Sequence, residues 1–134
     1  MGAGFVLFKS DTFGTPAPLM LALVKSSGKY DIPKGHQDNK ESPIETAKRE
    51  CFEESSIMVG DSEMVYGSFT NGDLVTFCAS TNQVPSITKN PTTGVLEHKD
   101  AKWVSKEEFV NKCLPYLAPC VEYFYSEHLR AYNP

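Results

Sequence analysis

No Cys-x-x-Cys pair occurs among the four cysteines of this 134-residue chain. Cys51, Cys78, Cys113 and Cys120 are scattered, and two of them sit inside apolar patterns. Buried free thiols are therefore expected, rather than disulfides or a zinc site. Long apolar runs are missing too. The longest, residues 19–24, is far too short to cross a bilayer, and the N-terminal residues lack the basic region and cleavage site of a signal peptide. These features predict a cytoplasmic protein with no membrane partner. Basic residues are scarce: 13 Lys and Arg stand against 17 Asp and Glu, giving a formal charge of −4 and an isoelectric point near 5.3. A broad basic face for gripping nucleic acid is thereby excluded.

What remains is ordinary globular composition, 40% hydrophobic and 22% charged, with eight Phe and six Tyr to fill a core. The length suits one domain, residues 1–134, with little room for a second. Either a monomer or a homodimer is compatible with it. Residues 4–9 and 19–25 read as strands separated by the Gly14, Pro16 and Pro18 break. Residues 29–32 read as a short extended piece, halted at Pro33, and residues 34–41 as a polar loop. Ser42-Pro43-Ile44-Glu45 starts a helix, with Ser at the cap, Pro at the first helical position and Glu closing a capping box. Ile44, Ala47 and Cys51 give it one apolar face, and it is expected to end near Ser55 and Ser56.

Beyond the helix, residues 57–59, 63–70 and 73–80 read as strands, the last two joined by Asn71-Gly72 as a type I′ hairpin signal. Residues 81–94 read as a surface loop, residues 101–104 as a final strand, and Ser105 to Glu108 as the start of a second capped helix. Residues 119–132 are helical by pattern, with Val121, Phe124, Tyr125 and Leu129 facing the core. Strands around one central helix with a second near the C-terminus predict a mixed sheet packed between helices.

Glu50, Glu53 and Glu54 lie at i, i+3 and i+4 of the capped helix, so three mutually repelling carboxylates share a face. A solvated acidic face is the commoner meaning of such a pattern. Their position argues otherwise, because the C-terminal half of a helix disfavours negative charge. A divalent cation resolves the conflict, since Mg²⁺ takes carboxylate oxygens and keeps positions open for water and phosphate.

Gly35, five residues, Glu41, seven residues and then Arg49-Glu50-Cys51-Phe52-Glu53-Glu54-Ser55-Ser56-Ile57 resembles the Nudix box, GX5EX7REUXEEXGU, where U is bulky and apolar. Six of its seven glycine and charged positions match. Ser56 departs from it, standing where the family has its last glycine, and Cys51 is a small version of U. The resemblance implies the Nudix fold, an α/β/α sandwich with a mixed central sheet. It implies that Glu50, Glu53 and Glu54 hold Mg²⁺ or activate water, with Mn²⁺ as a substitute ion. It further implies that Arg49 orients a box carboxylate with Glu41 as salt-bridge partner, and that Gly35 brings a backbone carbonyl near the metal. Which glutamate serves as base varies within the family.

Pro33-Lys34-Gly35-His36 resembles the PKGH of the asymmetrical diadenosine tetraphosphate hydrolase branch. By that resemblance Lys34 and His36 would contact substrate phosphate and Tyr30 would line a nucleotide pocket, core packing being an equal alternative for Tyr30. Glu97-His98 ahead of Trp103-Val104 is similar to another element of that branch, making Glu97 a further ligand or base; His98 is read as structural and Trp103 as core. The implied activity is Mg²⁺-dependent hydrolysis of a dinucleoside polyphosphate, a small-molecule nucleotide. Its rivals are an RNA 5′ pyrophosphohydrolase, an ADP-ribose or nucleotide-sugar pyrophosphatase, a diphosphoinositol polyphosphate phosphatase disfavoured by the scarce Lys and Arg, and a nucleotide-binding module without catalysis.

Overall fold

Alternation along the first strand sets the architecture. In β1 (Gly2–Lys9), Ala3, Phe5 and Leu7 point to one face of the sheet and Val6 and Phe8 to the other, all of them buried. Such two-sided burial is what a central strand between two helical layers requires. The computed structural model describes residues 1–132. After β1 come a one-turn helix α1 (Ser10–Phe13), β2 (Met20–Val24), β3 (Tyr30–Asp31), β4 (Lys34–His36) and helix α2 (Pro43–Ser55). Then follow β5 (Phe69–Asn71), β6 (Leu74–Thr81), β7 (Asp100–Val104), α3 (Lys106–Lys112) and α4 (Ala118–Tyr132).

The seven strands form one sheet with the path β3-β2-β1-β6-β5, while β4 also pairs with β1 and β7 with β2. β1 and β6 run parallel from Gly2 opposite Leu74 to Lys9 opposite Thr81, and every other pairing is antiparallel. The sheet is therefore mixed. On one face Phe5, Leu7, Leu21, Leu23 and Val75 pack against Ala47 and Cys51 of α2; on the other Phe8, Met20 and Cys78 pack against Phe109 of α3 and Val121 and Phe124 of α4. This is the expected α/β/α sandwich.

Several local expectations need correction. Residues 34–36 are a strand rather than loop: small residues at Gly2, Ala3 and Gly4 let Lys34–His36 lie against β1, and a Cβ on Gly4 would sit 2.6 Å from the Pro33 carbonyl. Residues 57–59 form no strand. Ile57 and Val59 are buried, but the Gln83 side chain takes the place of a neighbouring strand, accepting from Met58 N–H at 3.0 Å and donating to its carbonyl at 2.7 Å. Of the expected 63–70 strand only residues 69 and 70 are regular, as the start of β5; a 3₁₀ turn occupies Asp61–Glu63, and Met64 makes an isolated bridge to Ala79. Asn71 pairs with Leu74, so the hairpin turns on Gly72 and Asp73. Gly72 has φ +60° and Asp73 has no positive φ, whereas a type I′ turn needs two such residues. In α4 the inward residue is His128 in place of Leu129, which is half exposed. The His128 ring packs beside Phe8 and Phe13, and its Nε2 bonds the Thr15 carbonyl at 2.7 Å.

Candidate active site

Helix α2 aims its carboxylates by anchoring its other face. Ser42 accepts from Glu45 N–H at 3.3 Å while Glu45 accepts from Ser42 N–H at 2.8 Å, the reciprocal capping box, and Pro43 opens the first turn. Ala47 and Cys51 are fully buried against the sheet. The same rotation turns Glu50, Glu53 and Glu54 towards β4 and the loop before β7. The far end of α2 is strapped by residues 86–88: Ser86 N–H donates to the Ser55 carbonyl at 2.8 Å and the Thr88 hydroxyl to the Glu53 carbonyl at 2.6 Å. Both fill acceptors that a helix terminus leaves open. Ser56 ends the helix in the left-handed region at φ +64°, ψ +12°, and its hydroxyl donates to the Ser86 carbonyl at 3.1 Å.

Arg49 clamps the acidic residues together. Its Nε and Nη2 grip Glu41 at 2.7 and 3.0 Å, Nη1 reaches Glu50 at 3.0 Å and both Glu53 oxygens at 3.3 Å, and Nη2 also donates to the His36 carbonyl at 3.1 Å. The two-pronged bond to Arg49, with the Asp38 N–H behind it, holds the Glu41 carboxyl down at about 2. Gly35 makes room for the Glu50 carboxyl group, which a Cβ there would overlap and push aside.

Glu54 is the buried member, 8% exposed, and accepts from Lys34 N–H at 3.3 Å. Burial, and then the hydrogen bond and charge of Glu50, push its carboxyl well above the ordinary range. Beside it Asp31, also buried, accepts from Ile32 N–H at 2.8 Å and bonds Lys34 Nζ at 3.2 Å and His98 Nε2 at 3.1 Å. Burial opposes its ionised form, yet the hydrogen bond from His98 and the charge of Lys34 outweigh that and lower its pKa.

These residues line a cleft of about 660 Å³. Of the residues expected from the sequence, Lys34, Gly35, His36, Arg49, Glu50, Glu53, Glu54 and Glu97 all reach it, and Glu41 stands behind it on Arg49. Tyr30 does not. Its ring lies 6.0 Å from Phe109 in the opposite core layer, with its hydroxyl on Glu108. Asp31 is not among the site residues the sequence suggests, and His98 is expected there only as a structural residue, yet both border the cleft. For Asp31 a signal exists: a strand alternates, so an acid next to a core Tyr30 must face the other side. Six carboxylates (Asp31, Asp38, Glu50, Glu53, Glu54 and Glu97) face three cationic side chains (Lys25, Lys34 and Arg49). That donor set, with the Glu54 carboxyl driven towards its neutral form by burial and by Glu50, fits a divalent cation.

Among curated proteins, none matches this sequence significantly. Solved structures do share its fold. The C. elegans Ap4A hydrolase in a binary complex aligns over 98% of this chain and 99% of its own, at 19% identity and a TM-score of 0.73. The E. coli dihydroneopterin triphosphate pyrophosphohydrolase aligns over 94% of each chain at 16% identity and a TM-score of 0.69. The MutT protein of Methanosarcina mazei Go1 aligns over 94% of this chain and 92% of its own, at 22% identity and a TM-score of 0.66. The NUDIX domain family matches residues 2–124, nearly the whole sequence. With Arg49, Glu50, Glu53 and Glu54 of the box on α2 and the sandwich around them, the chain belongs to the Nudix family of pyrophosphohydrolases.

Proposed function

We propose that the chain, acting as one domain in the cytoplasm, hydrolyses a phosphoanhydride bond in a nucleoside diphosphate-linked substrate of the dinucleoside polyphosphate type, with Mg²⁺ as cofactor. The carrying observation is a pair of clefts on either side of β4. The acidic cleft above suits metal-bound phosphates; a second of about 540 Å³ is bordered by Tyr116 and Leu74 and shares Lys34, Gly35 and His36 with it. A polyphosphate in the first would set a nucleoside against the aromatic and apolar walls of the second. The Lys34-Gly35-His36 strand and Glu97-His98 support the same substrate class.

Glu50, Glu53 and Glu54 would hold the cation, with the Gly35 backbone nearby, and the cation when bound would supply charge neutralisation for phosphate oxygens and acidify a water. Glu53, facing the cleft with only the long Arg49 contacts, takes the proton of the attacking water as its oxygen bonds to phosphorus and the bridging P–O bond breaks. Arg49 keeps Glu53 and Glu50 aimed. Lys34 and His36 meet the phosphates, and the leaving phosphate departs with its electron pair. Chromatographic product analysis over a panel of dinucleoside polyphosphates, ADP-ribose, NADH, dNTPs and 5′-triphosphorylated RNA tests this. ATP plus AMP from diadenosine tetraphosphate, only with Mg²⁺, is expected. Cleavage of another member alone would replace the substrate, and nucleotide binding without any cleavage would overturn the hydrolase reading.

A further inference from the structure

We propose that His98 supplies a nitrogen ligand at the inner end of the acidic cleft, forming with Glu54 and Glu97 a cation site of mixed nitrogen and oxygen donors that takes Mn²⁺, Co²⁺ or Zn²⁺ in preference to Mg²⁺. This rests on the reading of the cleft as a divalent-cation site and goes beyond it by adding a residue and a metal preference. One donor atom from each of Glu54, Glu97 and His98 lies within 4.8 Å of the other two. That is compact enough for one ion to draw the three together after small rotations.

The surroundings of the histidine suit it to this role. It is 5% exposed, and its Nε2 stands 3.1 Å from Asp31 Oδ2. Asp31 already accepts from the Ile32 amide and the Lys34 ammonium, which keeps it an acceptor and makes Nε2 the ring's N–H donor. The proton on Nε2 leaves the Nδ1 lone pair free. Nδ1 has no hydrogen-bond partner among the described residues, and none of their fully buried side-chain polar atoms lacks one. Nδ1 is therefore not fully buried, on a ring that lines the cleft. A carboxylate on one imidazole nitrogen, leaving the other free for an ion, is the arrangement by which proteins fix a metal-binding histidine in its tautomer. A histidine serving only to brace Asp31 would need no second pair of carboxylates within reach of its ring. Imidazole nitrogen binds first-row transition-metal cations better than it binds Mg²⁺, Mn²⁺ least strongly among them, whereas an all-oxygen set suits Mg²⁺.

Mn²⁺ alone, added to the metal-free full chain, is the probe, read by electron paramagnetic resonance titration and by electron spin-echo modulation. The wild type is expected to show ¹⁴N modulation that changes to the ¹⁵N pattern when only histidine is ¹⁵N-labelled, a change that perturbs no contact. His98→Gln should abolish the modulation and weaken Mn²⁺ at this position about tenfold or more, and His36→Gln should leave the modulation in place. Asp31→Asn, which keeps the imidazole, should weaken Mn²⁺ as well. Bound Mn²⁺ without nitrogen modulation in the wild type would overturn the role of His98 while leaving the cleft as a cation site. Modulation lost in His36→Gln would also overturn it, and no Mn²⁺ bound at all would overturn both readings.

Discussion

Ser56 offers a direct measurement of how this chain tolerates a departure from the box pattern. It sits at φ +64°, where a Cβ costs about 1–2 kcal/mol, and its hydroxyl donates to the Ser86 carbonyl at 3.1 Å. Being near the surface, that bond should contribute at the low end of about 0.5–1.5 kcal/mol. Ser56→Ala keeps the strain and loses the bond, so it should destabilise by about 0.5–1 kcal/mol. Ser56→Gly also loses the bond but relieves the strain, while adding about 0.4–1 kcal/mol of unfolded-state freedom. Glycine should therefore lie close to the wild type and about 1 kcal/mol above alanine, roughly 4 °C in Tm for a domain this size. Calorimetric melts in EDTA isolate the effect from metal linkage. Equal melting of the alanine and glycine variants would refute the strain argument, and a glycine variant well below alanine would mean that Ser56 is not left-handed in solution.

Glu53→Gln should keep the fold, by circular dichroism, and lose about 10²–10⁴ in kcat, the usual share of a general base; unchanged turnover removes Glu53 from the mechanism. Gly35→Ala places a Cβ in the Glu50 carboxyl, which can swing aside. It should scarcely move Tm yet lower kcat by about a hundredfold as Glu50 is misplaced, and loss of fold with intact specific activity would contradict this. The Glu41 carboxyl is depressed from 4.5 to about 2 by Arg49. A depressed acid stabilises the fold above its unfolded pKa and ceases to as pH falls through the folded one, so the Tm gap between wild type and Glu41→Gln should be constant above about pH 5 and close towards pH 2. All four cysteines are buried, with burial pushing the Cys51 thiol up to about 12 and Cys78 higher. Ellman's reagent at pH 8 should release no thiolate from the native protein and four per chain in guanidinium.

The parts of the fold legible in the sequence are those set by neighbours in the chain. The start of α2 follows from Ser42, Pro43 and Glu45, and its buried face from Ala47 and Cys51 at helical spacing. The parts that are not legible depend on partners far away. β4 is too short to show alternation, and its pairing is fixed by the small residues of β1. Residues 57–59 look like a strand, but a side chain 25 positions on from Met58 takes both of its backbone hydrogen bonds. Leu129 has the right spacing for a core residue, yet the aromatic neighbours Phe8 and Phe13 draw in His128. Most consequential for the site, Asp31 and His98 meet across 67 positions, a closure that no local pattern encodes.

Under the proposed function, the electrostatics of the cleft favour a cation and a phosphate arriving together. Acidic residues at the C-terminal half of α2 oppose the helix dipole, and Arg49 is the helix's own remedy. Its donors are already committed to Glu41, Glu50, Glu53 and the His36 carbonyl, and Lys34 Nζ is held by Asp31. Neither cation bonds Glu54, whose side chain accepts from the Lys34 amide. Its carboxyl is driven towards the neutral form by burial and by Glu50. A free polyphosphate meeting six carboxylates and three cationic side chains would be repelled, whereas one that arrives with divalent cations brings the charge that the inner end of the cleft lacks. Under the proposed function, selectivity for metal-bound phosphate over free phosphate is expected to follow from the placement of Arg49 and Lys34 as much as from the glutamates themselves.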